Sequence, residues 1–316
     1  MKIVITGAAG AIGSHLAERF LSLGNQVVGI DALRPYYDPA IKKITAEDLV
    51  AQGVEMHYLD LTTDDVSHLL EGAEIIFHCA AQPGISAVTP FQTYLDDNIV
   101  ATQRLLEAAR HIPTLKAFIH ASTSSVYGAR ATEAETAELK PTSYYGVTKL
   151  AAEQLAMSYY REIGLPVIVL RFFSVYGPRE RPEKLYHKLI KSIFDGTTIP
   201  LHEGSENHIR SYTFVQDIVD GCLLVVENLD SAVGEIFNLG TDKITTTGEG
   251  IKIIEEILGQ KAQFVKTSRR PGDQVETGAN ISKIKKFFGY NPKTELREGL
   301  EKQVEWYREK LHKKKD

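Results

Sequence analysis

Cysteine is nearly absent: Cys79 and Cys222 are the only two in 316 residues. Both stand inside apolar runs without metal-ligand spacing. This excludes a disulfide scaffold and reads as two buried thiols in a reducing compartment. No apolar stretch reaches the roughly 18 residues that a membrane span requires. Charge of one sign is missing too: 36 Lys and Arg against 41 Asp and Glu leave a net charge of −5. That balance offers no global field for nucleic acid. Internal repeats and low-complexity segments do not occur. The opening Met1-Lys2-Ile3-Val4-Ile5-Thr6-Gly7 has no leader pattern, because a strand runs straight into a glycine turn. The basic end at Lys313, Lys314 and Lys315 reads as a solvated tail. What remains is 43% hydrophobic and 24% charged, a globular mix long enough for about two domains. A cytoplasmic enzyme is the class left standing.

Short β-branched runs recur at residues 2–6, 26–30, 54–58, 74–79, 116–121 and 166–171, separated by amphipathic stretches such as 12–23, 97–110 and 145–163. Strands too continuously apolar to have a wet face, joined by helical crossovers, predict a parallel sheet covered on both sides. That is a doubly wound α/β fold of Rossmann type, whose ligands sit at the carboxyl ends of the strands. After Arg171 the rhythm changes and Gly and Pro become more frequent, as in Gly177-Pro178, Gly196, Pro200 and Gly204. The expected division is 1–171 for a dinucleotide-binding domain and 172–316 for a smaller substrate domain, with some later chain crossing back.

The first strand ends in Gly7-Ala8-Ala9-Gly10-Ala11-Ile12-Gly13 and opens a helix. Glycines there permit a tight turn and close approach of a pyrophosphate to backbone at a helix N-terminus. Asp31 ends the second strand about 20 residues downstream, where a carboxylate accepts ribose hydroxyls and repels a 2′-phosphate, which favours NAD over NADP. Arg34 stands nearby as a competing cation. Asp60-Leu61, after the third strand, is a candidate for the adenine amino group, or alternatively a turn or cap. In Ser143-Tyr144-Tyr145-Gly146-Val147-Thr148-Lys149, positions i and i+4 share a helix face, so Tyr145 and Lys149 point together. An ammonium beside a phenol lowers its pKa from about 10 toward neutrality. Upstream, four consecutive hydroxyls, Ser122-Thr123-Ser124-Ser125, follow a parallel strand on its ligand side. Thr123 is placed to share a proton with Tyr145.

Together, the glycine turn, Asp31, His78-Cys79-Ala80-Ala81-Gln82, Asn98, Thr123, Tyr145 and Lys149 resemble the extended short-chain dehydrogenase/reductase superfamily. The resemblance covers essentially the whole chain. Within that superfamily, residues 31–42, 171–181 and 210–221 look like the nucleotide-sugar 4-epimerases, nearest the UDP-glucuronate 4-epimerase group. The resemblance implies that Gly7, Ala9, Gly10, Ala11, Ile12, Gly13, Asp31, Asp60, Leu61, Ala80, Ala81, Gln82, Asn98, Tyr145 and Lys149 hold NAD. It implies that Tyr145 takes the proton of the sugar 4-hydroxyl as hydride leaves C4, that Lys149 holds the phenol and the nicotinamide ribose, and that NAD stays bound. Arg270 matches a diphosphate-binding arginine and Asp273 a nucleotide-ribose contact, with Lys184 and Arg210 as further cations. Arg181 matches a substrate-contacting arginine. A homodimer built on two helices is also implied.

Related enzymes steer the same keto intermediate differently. Dehydratases carry Asp-Glu after the catalytic Thr and decarboxylases carry Ser-Glu. Ser124-Ser125 supplies neither carboxylate, which argues for plain epimerisation. Ser124, Ser125 and Ser174 are candidates to bind and restrain a substrate carboxylate. Ser174 stands where hexose epimerases usually have asparagine, whereas Ser86 stands where many glucuronate epimerases have arginine. The leading expectation is therefore UDP-glucuronate to UDP-galacturonate. The alternatives are UDP-glucose/UDP-galactose epimerisation, a dehydratase, decarboxylase or reductase, and an NAD-binding sensor without catalysis.

Overall fold

The computed structural model describes residues 1–86, 88–268, 274 and 276–312. Seven strands form one parallel sheet: β1 Lys2–Thr6, β2 Gln26–Ile30, β3 Glu55–His57, β4 Ile75–His78, β5 Ala117–Thr123, β6 Val167–Phe172 and β7 Ile236–Leu239. Their order across the sheet is β7-β6-β5-β4-β1-β2-β3. The chain therefore starts inside the sheet and winds outward in both directions from β1 and β4.

Period two along each strand sends alternate residues into two cores. Ile3, Ile5, Phe77, Ile119 and Ile168 pack on one face with helices α1 (Ala11–Ser22) and α6 (Val215–Glu227). Val4, Val28, Ile76, Phe118 and Val167 pack on the other with α3 (Ala101–Ala109) and α4 (Tyr144–Ile163). Each fully buried aliphatic side chain contributes roughly 1.5–3 kcal/mol, so the double layer explains why these strands lack a polar face. Helix α2 (Pro39–Gln52) starts with Pro39 behind an Asp38 cap and ends at Gly53, φ 108°. A third core around Tyr186, Leu189, Ile251, Ile254 and Leu300 belongs to α5 (Leu185–Asp195), α7 (Thr247–Leu258) and α8 (Leu296–Tyr307). No helix among the described residues is long and apolar enough to cross a membrane.

The strand ends differ informatively from the sequence reading. β3 contracts because it is an edge strand bonded only to β2. β5 extends through Ser122 and Thr123, because β6 supplies parallel partners as far as Thr123 opposite Phe172. The two hydroxyls thus stand on strand backbone at the sheet's ligand edge. β7, which no periodicity announced, returns from the C-terminal part and pairs with β6 from Ile236 opposite Val169 to Leu239 opposite Phe172. The expected helix at 97–110 is a π-helical turn, Leu95–Val100, continuing into α3.

A buried ion pair fixes α4 on the sheet. Arg171 of β6 donates to Glu153 of α4 through Nε (3.0 Å) and Nη2 (2.6 Å), and the two side chains are only 2% and 0% exposed. Ser122 Oγ donates to the same carboxylate at 2.7 Å, and Arg171 Nη1 donates to Tyr127 Oη at 2.8 Å. Tyr127 Oη donates to Asn238 Oδ1 of β7 (2.7 Å), whose Nδ2 donates to the carbonyls of Glu133 and Asn280. Glu153→Met strands a buried guanidinium and should cost roughly 3–5 kcal/mol in urea unfolding, whereas Glu153→Met with Arg171→Met should recover most of that loss. A single variant as stable as the wild type would show that the pair does not anchor α4.

Candidate active site

The strand-to-helix turn is shaped by what a side chain would strike. Gly7 has φ +69°, and a Cβ there would lie 2.7 Å from the Ala80 amide nitrogen at the end of β4. A Cβ on Gly13 would lie 2.3 Å from the Gly7 carbonyl oxygen. Glycine at both positions lets the turn, α1 and the Ala80 backbone close on one another. Gly10 caps α1, so the amides of Ala11, Ile12 and Gly13 are those a helix start leaves without intrahelical acceptors. With the helix dipole behind them, they fit a diphosphate. Asp31, 6% exposed, accepts from the Ala9 amide at 3.0 Å and the Leu33 amide at 2.8 Å, and Lys42 Nζ approaches it to 3.6 Å. The same carboxylate thereby holds the glycine turn in shape and remains at the rim of the cleft. This donor set fits a dinucleotide with an unphosphorylated ribose.

Other expected cofactor residues do structural work. Asp60 Oδ1 accepts from the amide and hydroxyl of Thr62, and its Oδ2 pairs with Arg34 at 2.8 Å. These bonds and the Arg34 charge outweigh its burial and hold the carboxyl below its ordinary range. Arg34, also 3.2 Å from Asp97, is thus spent on two carboxylates. Asn98 accepts from the Gln82 amide (2.8 Å) and donates to Thr148 Oγ1 (2.9 Å) and the Gln82 carbonyl (3.3 Å). It brackets the 80–82 segment to α4. Leu61, Ala80, Ala81 and Gln82 line the cleft.

The hydroxyl run and α4 meet at the centre. Ser143 caps α4 by accepting from the Gly146 amide at 3.1 Å, which aims the first helical turn at the end of β5. Thr123 accepts from the Ser125 amide (3.2 Å), and its hydroxyl lies close enough to the Tyr145 phenol to help lower its pKa. Burial pushes that phenol above its ordinary value, while the Arg181 charge and the Thr123 hydroxyl draw it back. Lys149 shares the cleft with Tyr145, and its Nζ also lies 3.4 Å from His120 Nε2 on β5. Burial lowers Lys149 from 10.5 to about 8, with Cys79 and Glu153 opposing the shift. Below it, His78 is held neutral, its pKa lowered to about 3 by burial and by Lys149. His78 Nε2 lies 2.9 Å from Thr102 Oγ1, whose proton goes to the Asn98 carbonyl, so Nε2 carries the ring proton.

Beyond Tyr145 the cleft, about 590 Å³, continues along Ser124, Ser125, Ser174, Arg181, Lys184 and Arg210. Ser174 adopts a left-handed φ of +38° and lies 3.2 Å from Thr277 Oγ1. Arg181 donates to the Pro83 carbonyl at 3.3 Å and packs over the Tyr36 ring. A Cβ on Gly84 would come within 3.0 Å of its guanidinium. Lys184 is bound by the Val175 carbonyl and, at 3.0 Å, by Glu180. Arg210 donates to the carbonyls of Gln274 and Ile209, and Gln274 donates onward to the Gly128 carbonyl at 2.7 Å. Arg270 and Asp273 lie outside the described residues. Tyr36, Tyr37, Gln274 and His208 also line the cleft and had received no role from sequence. Paired tyrosines in an otherwise polar loop after β2 were the available signal.

The model of the NAD dependent epimerase/dehydratase family matches residues 3–240. The chain belongs to this family. It is 38% identical over 312 residues to the uncharacterized UDP-glucose epimerase YtcB of Bacillus subtilis, covering 96% of this chain and 97% of that one. It is 35% identical to UDP-glucuronate 4-epimerase 6 of Arabidopsis thaliana, covering 97% of this chain and 71% of the relative. Among solved structures, UDP-glucuronic acid 4-epimerase from Bacillus cereus in complex with UDP-glucuronic acid and NAD superimposes with a TM-score of 0.93 at 35% identity, covering 98% and 99% of the two chains.

In this epimerase/dehydratase chain, Lys149 is a cost to the fold. Below about pH 8 it is charged in both states and the folded state bears the desolvation. Between about 8 and 10.5 only the unfolded state binds the proton, so stability rises with pH. Lys149→Met should therefore stabilise the protein by on the order of 3 kcal/mol at pH 7. The advantage should shrink toward zero between pH 8 and 10.5 in urea titrations at stepped pH. A variant advantage that does not change with pH would contradict the assignment.

Proposed function

We propose that the protein is an NAD-dependent 4-epimerase of a UDP-sugar, converting UDP-glucuronate to UDP-galacturonate through a 4-keto intermediate. The observation that carries this is that Thr123 and Tyr145 line one cleft at the end of β5, with Ser124 and Ser125 next to them and no carboxylate at either position. When bound, NAD supplies the acceptor for the C4 hydride and returns it. The chain's residues do the rest. The Tyr145 phenolate takes the 4-hydroxyl proton, becoming the phenol, and gives it back after the sugar has turned over, with Thr123 relaying it. Lys149, charged at neutral pH and reaching the cleft from beneath, favours an ionised phenol once the site is filled. Arg181, Arg210 and Arg270 hold the diphosphate and the sugar, with Asp273 on the nucleotide ribose and Lys184 as a further cation.

An acid at 124 or 125 would drive elimination or decarboxylation; hydroxyls there can donate to the uronate and keep its carboxylate out of line with the breaking bond. The second reading, UDP-glucose/UDP-galactose epimerisation, is favoured by Ser86. Its Oγ accepts from the amides of Val88 and Thr89 and so shapes a turn rather than placing a cation. The name of the Bacillus subtilis relative points the same way. In this reading residues 1–171 hold the cofactor and 172–316 the nucleotide sugar, with β7 crossing back. Exposed Val100, Tyr144 and Val147 around α3 and α4 support a homodimer through these helices. The free thiols Cys79 and Cys222 suit a reducing, cytoplasmic setting.

Purified protein given UDP-glucuronate and UDP-glucose separately, with products resolved, decides the substrate: UDP-galacturonate without carbon dioxide is the expected result. Tyr145→Phe should lower kcat by about 10²–10⁴-fold while denatured protein still releases NAD. Carbon dioxide from the uronate, or an active Tyr145→Phe, would overturn the assignment.

A further inference from the structure

Between β6 and α5 the chain crosses from the cofactor half to the substrate half as residues 177–184, and three consecutive side chains of this loop leave in three directions. Glu180, only 4% exposed, turns toward the substrate half: it accepts from the His187 amide (3.2 Å) and Gln303 Nε2 (2.8 Å) and pairs with Lys184. Arg181 turns into the cleft, onto the Pro83 carbonyl and toward the Tyr145 phenol. Arg179 turns the opposite way, out of the cleft and onto α1. Its two terminal nitrogens grip both oxygens of Glu18, Nη1 at 2.8 Å and Nη2 at 2.6 Å, with the arginine side chain 11% exposed. Glu18 is steadied from α2 by Gln52 Nε2 at 3.0 Å. His15, one turn earlier on α1, does not compete for the carboxylate: burial and the Arg179 charge lower it to about 4, so it is neutral at physiological pH.

Arg179 holds φ +64°, a left-handed conformation in which a side chain other than glycine is strained. Such a conformation persists where neighbouring contacts over-determine it, and the bidentate pair is that contact. We propose that Arg179 and Glu18 form a latch that locks residues 177–184 onto α1 and so positions Arg181 against the catalytic phenol. Neither latch residue lines the cleft, so both are positioning residues. The helix whose N-terminus faces the cofactor phosphates is then mechanically joined to the arginine facing the sugar. This rests on the reading of Tyr145 and Arg181 given above for their catalytic consequence, whereas the latch itself is testable without it.

Hydrogen exchange supplies the independent arm. The Glu180 and Lys184 amides donate to the carbonyls of Gly177 and Arg181 at 3.1 and 3.0 Å. Arg179→Gly relieves the left-handed strain yet removes the cation, so the fold should survive while these two amides exchange at least about tenfold faster. Glu18→Arg and Arg179→Glu should each behave similarly, and the double exchange Glu18→Arg/Arg179→Glu should restore protection. In steady state, the single variants should lose about 10- to 100-fold in kcat/KM, mainly through KM, with NAD content unchanged. The latch is overturned if Arg179→Gly exchanges like the wild type, or if the double exchange is no better than either single variant. If exchange responds as described but KM does not move, the link to Arg181 is overturned. If the wild type turns over no UDP-sugar, the epimerase reading fails while the exchange result still decides the latch.

Discussion

A carboxylate and a guanidinium removed from water in the middle of the molecule hold this site together. Glu153 stands on α4 one helical step beyond Lys149, which is itself one step beyond Tyr145, so the three share a face. Fixing Glu153 bidentately to Arg171 fixes the rotation of α4 about its axis, and with it where the phenol and the ammonium arrive. Burying two charges is worthwhile only when their remaining hydrogen-bonding groups are satisfied. Ser122, Tyr127 and the Glu135 carbonyl complete the set. The network draws on β5, β6 and, through Asn238, β7, so the returning strand also contributes to the register of α4.

The site separates charges that composition alone would have pooled. Lys149 is buried beneath the cleft among Cys79, His120 and Glu153, where desolvation weakens its hold on its proton. Arg181 faces the phenol across the cleft and presents a delocalised guanidinium to it. Burial holds the Tyr145 phenol above its ordinary value, and the Arg181 charge and the Thr123 hydroxyl draw it part of the way back.

The acidic side chains around the glycine turn are likewise committed to protein partners. Asp31 holds the turn in shape and remains at the rim of the cleft, whereas Asp60 and Asp97 both pair with Arg34.

The repeating β-branched runs, the three glycines, the hydroxyls after β5 and the Tyr145/Lys149 spacing were legible because they are local: period, turn chemistry and one helical step are written in adjacent residues. They were enough to determine the parallel sheet and the place of the cleft along its carboxyl edge. The side chain's destination was not legible. Lys149 shares a helix face and the cleft with Tyr145, but its contact with His120 was not foreseen, because helical spacing sets direction at Cβ and not the endpoint of four further bonds. Arg171 with Glu153, and Arg179 with Glu18 across 161 residues, are pairings that only chain closure brings within hydrogen-bond reach. β7 was too short and isolated a run to stand out; it became a strand because β6 had an open edge for it to bond. The local pattern determined which residues could carry chemistry, and tertiary packing decided which charge faces which.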